Sequence, residues 1–349
     1  MESYVLDLCK ELISRGHTSD VACLNTCAYA SEKLPARDIF EGINIYRLPY
    51  SNLKYYKIAP SVLKFAKNYD VIHIHGVGFF SDYFSLTKWL HGKPLVLSTH
   101  GGIFHTKNLS VLKKFYFFGW FRLVSSGISK IFAHSKNDLE LFSKISKNKC
   151  AYVPYSIRYD FFDIARKPEK STLLFVGRIS ENKRVDNLVK CAAEARKKIP
   201  GIKLFVVGGD WGRQKEAQAI AKSLGVEKNV FFEGEKHGKE LLEYYKKSGI
   251  FVLASSYEGF GISAIEAMAA GCIPVLNDIQ AFRAFINDGK NGFIVDFSDA
   301  KKAAERIIEI NNLPLNIRNR IEAAAKKTAK EYDWAKTAGD IESFYGELI

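Results

Sequence analysis

SSYEGFGISAIEAMAAGCIPVLN, residues 255–277, reads as the end of a strand, a glycine turn, a helix and a second strand. The strand begins upstream in IFVLASS (250–256), and helix formers run from Ser263 to Ala270 before the short apolar run IPVLN (273–277). Strands joined through a helix in this way pair in parallel. Gly259 and Gly261 let the backbone approach a ligand closely. Phe260 and Gly261 lead into a helix whose first amides, on Ile262 and Ser263, lack helical partners and point outward as an anion site. Glu258 stands at the mouth of that turn. Glu266, with seven residues between the two, leans back toward the same helix end. Either carboxylate alone is equally well explained as an acidic group favoured by the helix dipole.

The same alternation of short apolar strands and helical patterns runs through the whole chain, the signature of βαβ units. In the first half the strands are DVACLNT (20–26), INIYRLP (43–49), VIHIHG (71–76), PLVLSTH (94–100), KIFAHS (130–135) and AYVPYS (151–156). In the second half they are TLLFVG (172–177), IKLFVVGG (202–209), NVFFEG (229–234), IFVLASS, IPVLN and GFIVD (292–296), and the last 50 residues are helical. The polar, aperiodic stretch SIRYDFFDIARKPEKS separates the halves. This predicts an α/β protein with an N-terminal domain over 1–156, a linker over 157–171 and a C-terminal domain over 172–331. A final helix, 332–349, is expected to cross back to the first domain.

Length and composition agree. The 349 residues suffice for two domains, and 47% hydrophobic with 26% charged residues is a globular balance, which excludes a disulfide miniprotein, a disordered tail and a fibre. No apolar run is long enough for a spanning helix and MESYVLDLCKELISRGH reads as an amphipathic helix, not a signal, so a cytoplasmic protein is expected. The six cysteines, Cys9, Cys23, Cys27, Cys150, Cys191 and Cys272, are scattered without a C-x-x-C pair and suit buried free thiols. The net charge of +13 is uneven, with residues 42–137 holding 13 Lys and Arg against 2 acidic residues. Such a face attracts phosphate on nucleic acid, on an anionic membrane or on a substrate, although a solvated lysine-rich surface explains it as well.

A second site element is FVGRISENKRVDNLVKCAAEA (175–195), a strand ending at Gly177, then Arg178 and Lys183 before a helix. Both cations fall near the C-terminal edge of a parallel strand, where open α/β sheets bind ligands, and there they can stabilise a departing diphosphate. A surface pair that helps a helix start is the alternative. In VVGGDWG (206–212) the spacing is wrong for a dinucleotide fingerprint, and Gly208 and Gly209 better suit a base or ribose lying on the chain. The amides, the carboxylates and the two cations together match a nucleoside diphosphate sugar.

The run from Leu173 to Val295 resembles the C-terminal domain of the family 4 retaining glycosyltransferases, which have the GT-B fold of two Rossmann-like domains facing across a cleft. The likeness rests on FVGR with a Lys five residues after the Arg, the VVG turn, NVFFEG, LLEYYKKSGIFVLASSYEGFG, EAMAAGCIPV and DGKNGFIVD. RGH (15–17), DVIHIHG (70–76), LSTHGG (97–102) and VPYSI extend it to the first half. The resemblance implies that Arg178 and Lys183 grip the donor diphosphate, that Glu266 binds ribose, and that Glu258 faces the transferred sugar with the amides of Phe260, Gly261 and Ile262. It also puts His100 near the sugar as a proton-handling or orienting group, a satisfied strand-end histidine being the alternative. His73, His75 and His134 suit the core, and no pair has zinc spacing. Members carry a first strand and a Gly-Gly turn before the helix that begins here at Glu2, so the sequence is expected to be shortened at its start, leaving two strands of the sheet short of partners.

The reading is thus sugar transfer from a nucleoside diphosphate donor to an acceptor hydroxyl of a lipid or glycan, with retention. Neither a metal nor a cofactor beyond the donor is expected. SVLKKFYFFGWFRLVSSG (110–127), with Lys113, Lys114, Arg122 and many aromatics, suits either a buried helix with basic ends or an interfacial site on the inner face of an anionic membrane. Two rivals are a nucleic-acid binder, for which no binding module is present, and a catalytically idle protein that only binds the nucleotide sugar.

Overall fold

The computed structural model describes residues 2–26, 34–53, 56–101, 110–169 and 171–349. Cys27 and Gly102 lie outside them. The chain divides into two compact units, one of Met1–Ser156 with Trp334–Ile349 and one of Ile157–Asp333.

The second unit is built on six parallel strands: β10 (Thr172–Val176), β11 (Lys203–Val207), β12 (Val230–Gly234), β13 (Ile250–Leu253), β14 (Ile273–Asn277) and β15 (Phe293–Val295). Their order is β12-β11-β10-β13-β14-β15. The strands read as unbroken apolar runs because helices cover both faces, and Leu173, Leu174, Phe175, Leu204, Val206, Phe251 and Val252 are buried. Helix Val185–Arg196 buries Val185, Leu188, Val189, Cys191, Ala192 and Ala195, an apolar stripe at helical spacing. The chain leaves β10 toward one side of the sheet and β13 toward the other, so the loops after these two strands flank the switch point where doubly wound sheets bind ligands. The stretch after Ser156 is anchored within this unit: Ile157 bridges to Asp333, Phe162 stacks edge-on against Tyr245, and Arg166 donates to the Ser248 carbonyl at 2.7 Å.

In the first unit β1 (Val21–Leu24), β2 (Arg37–Phe40) and β3 (Ile43–Leu48) form one sheet, in the order β1-β3-β2. β4 (Ser51–Leu53) and β5 (Tyr56–Ile58) make a hairpin. β6 (Ile72–His75), β7 (Leu95–Ser98), β8 (Lys130–Ala133) and β9 (Cys150–Tyr152) form a parallel sheet in sequential order. Among the described residues β1 and β6 are each paired on one side only. Two antiparallel pairs, β2 with β3 and β4 with β5, depart from the uniform βαβ rhythm of the sequence. β2 joins β3 through Glu41 and Gly42, both with positive φ, the geometry of the tight hairpin turn whose twist matches its strands. The strand expected over 151–156 stops at Tyr152, two residues before Pro154, which has no N–H to pair.

Helix Trp334–Gly346 packs on helix Glu2–Ser14 within this unit. Trp334 and Ile341 share a core with Tyr4, Leu8, Leu12, Val96 and Phe132. Arg15 and His17 both reach Glu342, at 3.1 and 2.7 Å.

Candidate functional site

Two loops after neighbouring strands build the site in the second unit. The loop after β10 carries Gly177, Arg178 and Lys183, and the loop after β13 carries Ser255 to Gly261. The two are zipped together. The Ser256 amide donates to the Asn182 carbonyl at 2.8 Å, and the Asn182 side chain donates to the Tyr257 carbonyl at 3.2 Å. That clasp sets Lys183 against Glu258, where the ammonium donates to Oε1. Ser255 donates to the same oxygen at 2.9 Å, and Asn277 holds the Ser255 carbonyl at 3.0 Å. The side chains of Lys183 and Glu258 are only 12% and 11% exposed, so each is the other's main counter-charge in a sheltered corner.

Helix Ile262–Ala269 starts just beyond. Gly261, at φ 104°, caps it in the left-handed region, and an added Cβ would come within 2.7 Å of the Phe282 ring, so this turn accepts only glycine. Phe260 is buried against Phe285 and Tyr332, which fixes the turn from behind. Ile262 and Ser263 present the first amides of the helix. One turn in, Glu266 receives the Tyr245 hydroxyl at 2.9 Å. Burial, reinforced by the Glu266 charge, raises the Tyr245 pKa well above its ordinary value, which keeps it a donor.

Arg178 takes a different direction from Lys183. Its guanidinium lies 4.7 Å from the centre of the Trp211 ring, in the loop after β11. Gly208 sits where β10 and β11 end together: its φ is 147°, and a Cβ there would fall 1.9 Å from the Gly177 carbonyl oxygen. Gly208→Ala is therefore expected to cost the second unit roughly 3 kcal/mol or more, read as a fall in the urea midpoint. An unchanged midpoint would show that the strand ends can part. Gly209 is half-buried, with Glu235 Oε2 and Trp211 Nε1 standing 3.5 and 3.9 Å from the position of its missing Cβ.

The structure thus groups Gly177, Lys183 and Glu258 at one strand-end corner, places Phe260, Gly261, Ile262, Ser263 and Glu266 at the adjoining helix head, and sets Arg178, Gly208 and Gly209 along the neighbouring β11 loop with Trp211. Ser255, Asn182, Trp211, Tyr245 and Glu235 were not singled out from the sequence. Only Asn182, as Ser-x-Asn before a helix, has a local signal of a structured turn. Among the described residues no group of three His, Cys, Asp or Glu side chains is placed to hold a metal.

His100 lies in the first unit, among other imidazoles. Its Nε2 is 3.0 Å from His75 Nδ1 and its Nδ1 is 2.9 Å from the Tyr155 hydroxyl, so both ring nitrogens are engaged inside the protein. Its φ of 45° is unusual for a residue other than glycine. His73 bonds Tyr345 and Ser98 at 2.6 and 2.8 Å, and His134 bonds the Val153 carbonyl at 2.7 Å.

Comparison with known proteins places the chain in a family. Residues 156–328 match the model for glycosyl transferases group 1, and residues 1–159 match that for glycosyltransferase family 4. A GDP-mannose:cellobiosyl-diphosphopolyprenol alpha-mannosyltransferase of Xanthomonas oryzae pv. oryzae is 32% identical over all of this chain and 93% of its own length. One of the same name from Komagataeibacter xylinus is 29% identical over all of this chain and 90% of its own. Among solved structures, HepE of Anabaena with UDP and glucose superposes with a TM-score of 0.78 at 17% identity, covering 99% of this chain and 96% of that one. Sucrose-phosphate synthase of Thermosynechococcus elongatus does so at 0.77 and 19%, covering 99% and 92%. Whole-length similarity to a named transferase, on a fold of two Rossmann-like units, makes this chain a member of the family 4 glycosyltransferases of GT-B fold, retaining enzymes that draw a sugar from a nucleoside diphosphate donor.

Proposed function

We propose that the chain transfers mannose from GDP-mannose to a saccharide carried on a polyprenyl diphosphate. The observation that carries this reading is the sheltered corner of Lys183, Glu258 and the helix-head amides at the sheet's switch point, together with the donor and acceptor for which the similar mannosyltransferases are named. Lys183 and the amides of Ile262 and Ser263 would take the charge that builds on the departing diphosphate. Arg178, over the Trp211 ring, would meet the nucleotide from the β11 side. Glu266, oriented by Tyr245, would accept from the ribose hydroxyls, and Glu258 would orient the sugar. On a front-face route the glycosidic bond to phosphate breaks as the acceptor oxygen bonds the same face of the anomeric carbon, and the departing phosphate oxygen takes the acceptor's proton. No cofactor beyond the donor enters this step. Because the acceptor is lipid-borne, the reaction would run at a membrane surface, to which the basic first half of the chain would be drawn if its lipids are anionic.

Glu235 supports guanine as the base. Guanine presents two N–H groups side by side, which a carboxylate accepts through both oxygens; uracil offers one N–H between two carbonyls that repel it. Glu235 follows β12, its side chain is 67% exposed, and its carboxylate stands beside half-buried Gly209 and half-exposed Trp211. By titration calorimetry the wild type is expected to bind GDP more tightly than UDP, and Glu235→Gln to weaken GDP about tenfold or more while sparing UDP. UDP bound more tightly than GDP would remove the base assignment. The transfer itself is tested with labelled GDP-mannose and cellobiosyl-diphosphopolyprenol: label must pass into the lipid phase, and a chain that binds GDP without doing so is not the proposed enzyme.

A further inference from the structure

Asp82, in the first unit, is a carboxylate only 2% exposed, and the transfer chemistry described above does not use it. It lies in the first turn of helix Phe79–Leu86, which begins shortly after β6, so it stands at the carboxyl edge of the β6–β9 sheet. Parallel sheets bind their ligands at that edge. Three neutral donors from two other segments meet Asp82 there. The Tyr56 hydroxyl, on β5, donates at 2.8 Å, and the Tyr116 hydroxyl and the Trp120 indole N–H donate at 2.9 and 3.0 Å. Taking a carboxylate out of water is costly, and neutral donors offset that less than a cation would. What the arrangement gains is position: one group fixes aromatic side chains from three parts of the chain.

Trp120 is presented in a particular way. Residues Tyr116–Phe121 form a π-helical turn, a rare form that often marks a functional site. Phe117 and Phe121 are fully buried in the core, while Tyr116 and Trp120 reach Asp82. The indole has one polar atom, and its N–H is spent on the carboxylate. The rest of the side chain, in a residue that is 47% exposed, is left as a plain aromatic surface whose plane is fixed. Gly119 beside it is exposed, brings no side chain and stands in open space. Around Asp82 the half-buried Phe79 ring lies edge-on to Tyr56 at 5.9 Å and stacks on Tyr83 at 5.0 Å, so aromatic rings continue the surface.

These features select a neutral saccharide. A pyranose with equatorial hydroxyls, such as β-linked glucose, carries its axial C–H bonds on two apolar faces, and their slightly positive hydrogens are drawn to the negative face of an aromatic ring. Donation of the indole N–H to a carboxylate shifts electron density onto the ring and strengthens that attraction. The sugar's hydroxyls also need acceptors. Tyr56 and Tyr116 give their protons to Asp82 and keep oxygen lone pairs for this purpose. Burial and the adjacent carboxylate push both tyrosines above their ordinary pKa, so both stay protonated. A phosphate would be repelled by the same carboxylate, which separates this place from the diphosphate corner of the second unit.

We propose that Trp120, held in place by Asp82, is the platform on which a sugar ring of the acceptor stacks, with the Tyr56 and Tyr116 oxygens accepting from its hydroxyls. The inference rests on the reading of a saccharide acceptor, and its first test needs neither donor nor lipid. Cellotetraose is titrated onto the full chain and followed by saturation-transfer NMR. Wild type is expected to bind it, and Trp120→Ala to bind it about tenfold more weakly. Trp120→Phe, which also deletes the donor to Asp82 but keeps a ring, should recover most of that loss, and GDP affinity should stay as in wild type in both. A loss that phenylalanine repairs belongs to the ring face and not to the hydrogen-bond network. Trp89→Ala, at an indole 81% exposed in the neighbouring helix, should change nothing. Asp82 is a positioning residue: in the transfer assay Asp82→Asn should raise the KM for cellobiosyl-diphosphopolyprenol several-fold and leave kcat unchanged, and an unchanged KM removes Asp82 from the proposal. No binding of cellotetraose by wild type at up to about 10 mM, equal binding by wild type and Trp120→Ala, or an equal loss in Trp120→Ala and Trp120→Phe overturns the platform. Cellotetraose bound through Trp120 by a chain that moves no label from GDP-mannose would instead strike the transfer reading and leave the platform standing.

Discussion

Lys183→Ala is expected to lower kcat/KM by about 10²- to 10³-fold, the usual consequence of removing one fixed donor from a developing negative charge. The expectation follows from where the lysine is held. Its ammonium is clasped by Glu258 in a corner that excludes most water, and the loops that carry the two are bonded to each other at Asn182, Ser256 and Tyr257. The charge therefore sits in place before the donor arrives and does not have to be ordered during the reaction. Glu258→Ala should lose a similar factor, because it removes both the group proposed to orient the sugar and the anchor of Lys183. The double variant should then lose much less than the product of the two, since residues acting as one unit are not additive. Lys183→Arg is expected to recover little, because a planar fork cannot replace a compact point charge in a space bounded by Gly177 and Ser255. Each single variant also leaves a sheltered charge without its partner, so melting temperatures are needed beside initial rates. Rates of Lys183→Ala equal to wild type would take the diphosphate away from this corner.

The first unit is expected to be acid-labile, losing stability steeply below about pH 6.5. Its strand ends gather four imidazoles: His73 stacks on His75 at 4.3 Å between ring centres, and His100 lies 5.3 Å from His75 and 4.7 Å from His134. Tyr4 packs edge-on or tilted against three of them. Burial is the first cause of lowered basicity in all four. With the neighbouring His134 added it pushes His75 down to about 3, and burial, partly offset by the Val153 carbonyl, puts His134 at about 4. His73 and His100 are lowered for the same reasons.

The sign follows from comparing the two states. Above about pH 6.5 folded and unfolded chains both hold neutral imidazoles and these groups contribute no pH dependence. As pH falls from 6.5 toward 4 the unfolded chain takes up protons that the folded cluster refuses, and each group costs about 1.4 kcal/mol per pH unit. His75 and His134 together would remove up to roughly 5 kcal/mol between pH 6.5 and 4.5, a large share of a domain's stability. Below the folded values the slope eases. Urea unfolding at about pH 7 and pH 5 checks the loss, and His134→Phe should flatten the slope by one proton's worth. A midpoint that does not move with pH would mean that the cluster is already open to water.

All six strands of the second unit were legible, with ends up to three residues too long, because each is a short apolar run closed by glycine or a polar turn, and burial on both faces leaves little else that such a run can be. The glycine turn and helix at 259–270 were legible for the same local reason. The hairpin joining β2 to β3 was not: all four residues of β2 are exposed, so no alternation marks them, and the turn is Glu-Gly where Asn-Gly would have been the strong signal. The histidines were legible only as strand residues, since each strand supplies one or two and the cluster exists only when β6, β7 and β8 lie side by side.

Short-range order along the chain, through backbone period, glycine placement and the free amides at a helix start, was enough to set the two-unit α/β architecture and to mark 255–277 as the candidate ligand-facing segment. Which side chains meet there was decided by sheet order. Lys183 and Glu258 are 75 residues apart in sequence and become partners because β10 and β13 are neighbours at the switch point, while Arg178, five residues from Lys183, is drawn to Trp211 by the adjacent β11. The same holds for Asp82 with Tyr56, Tyr116 and Trp120. Local sequence encodes the torsional preferences of a few residues, whereas pairing a charge, a ring or a buried carboxylate with its partner depends on distances that only the packed fold sets.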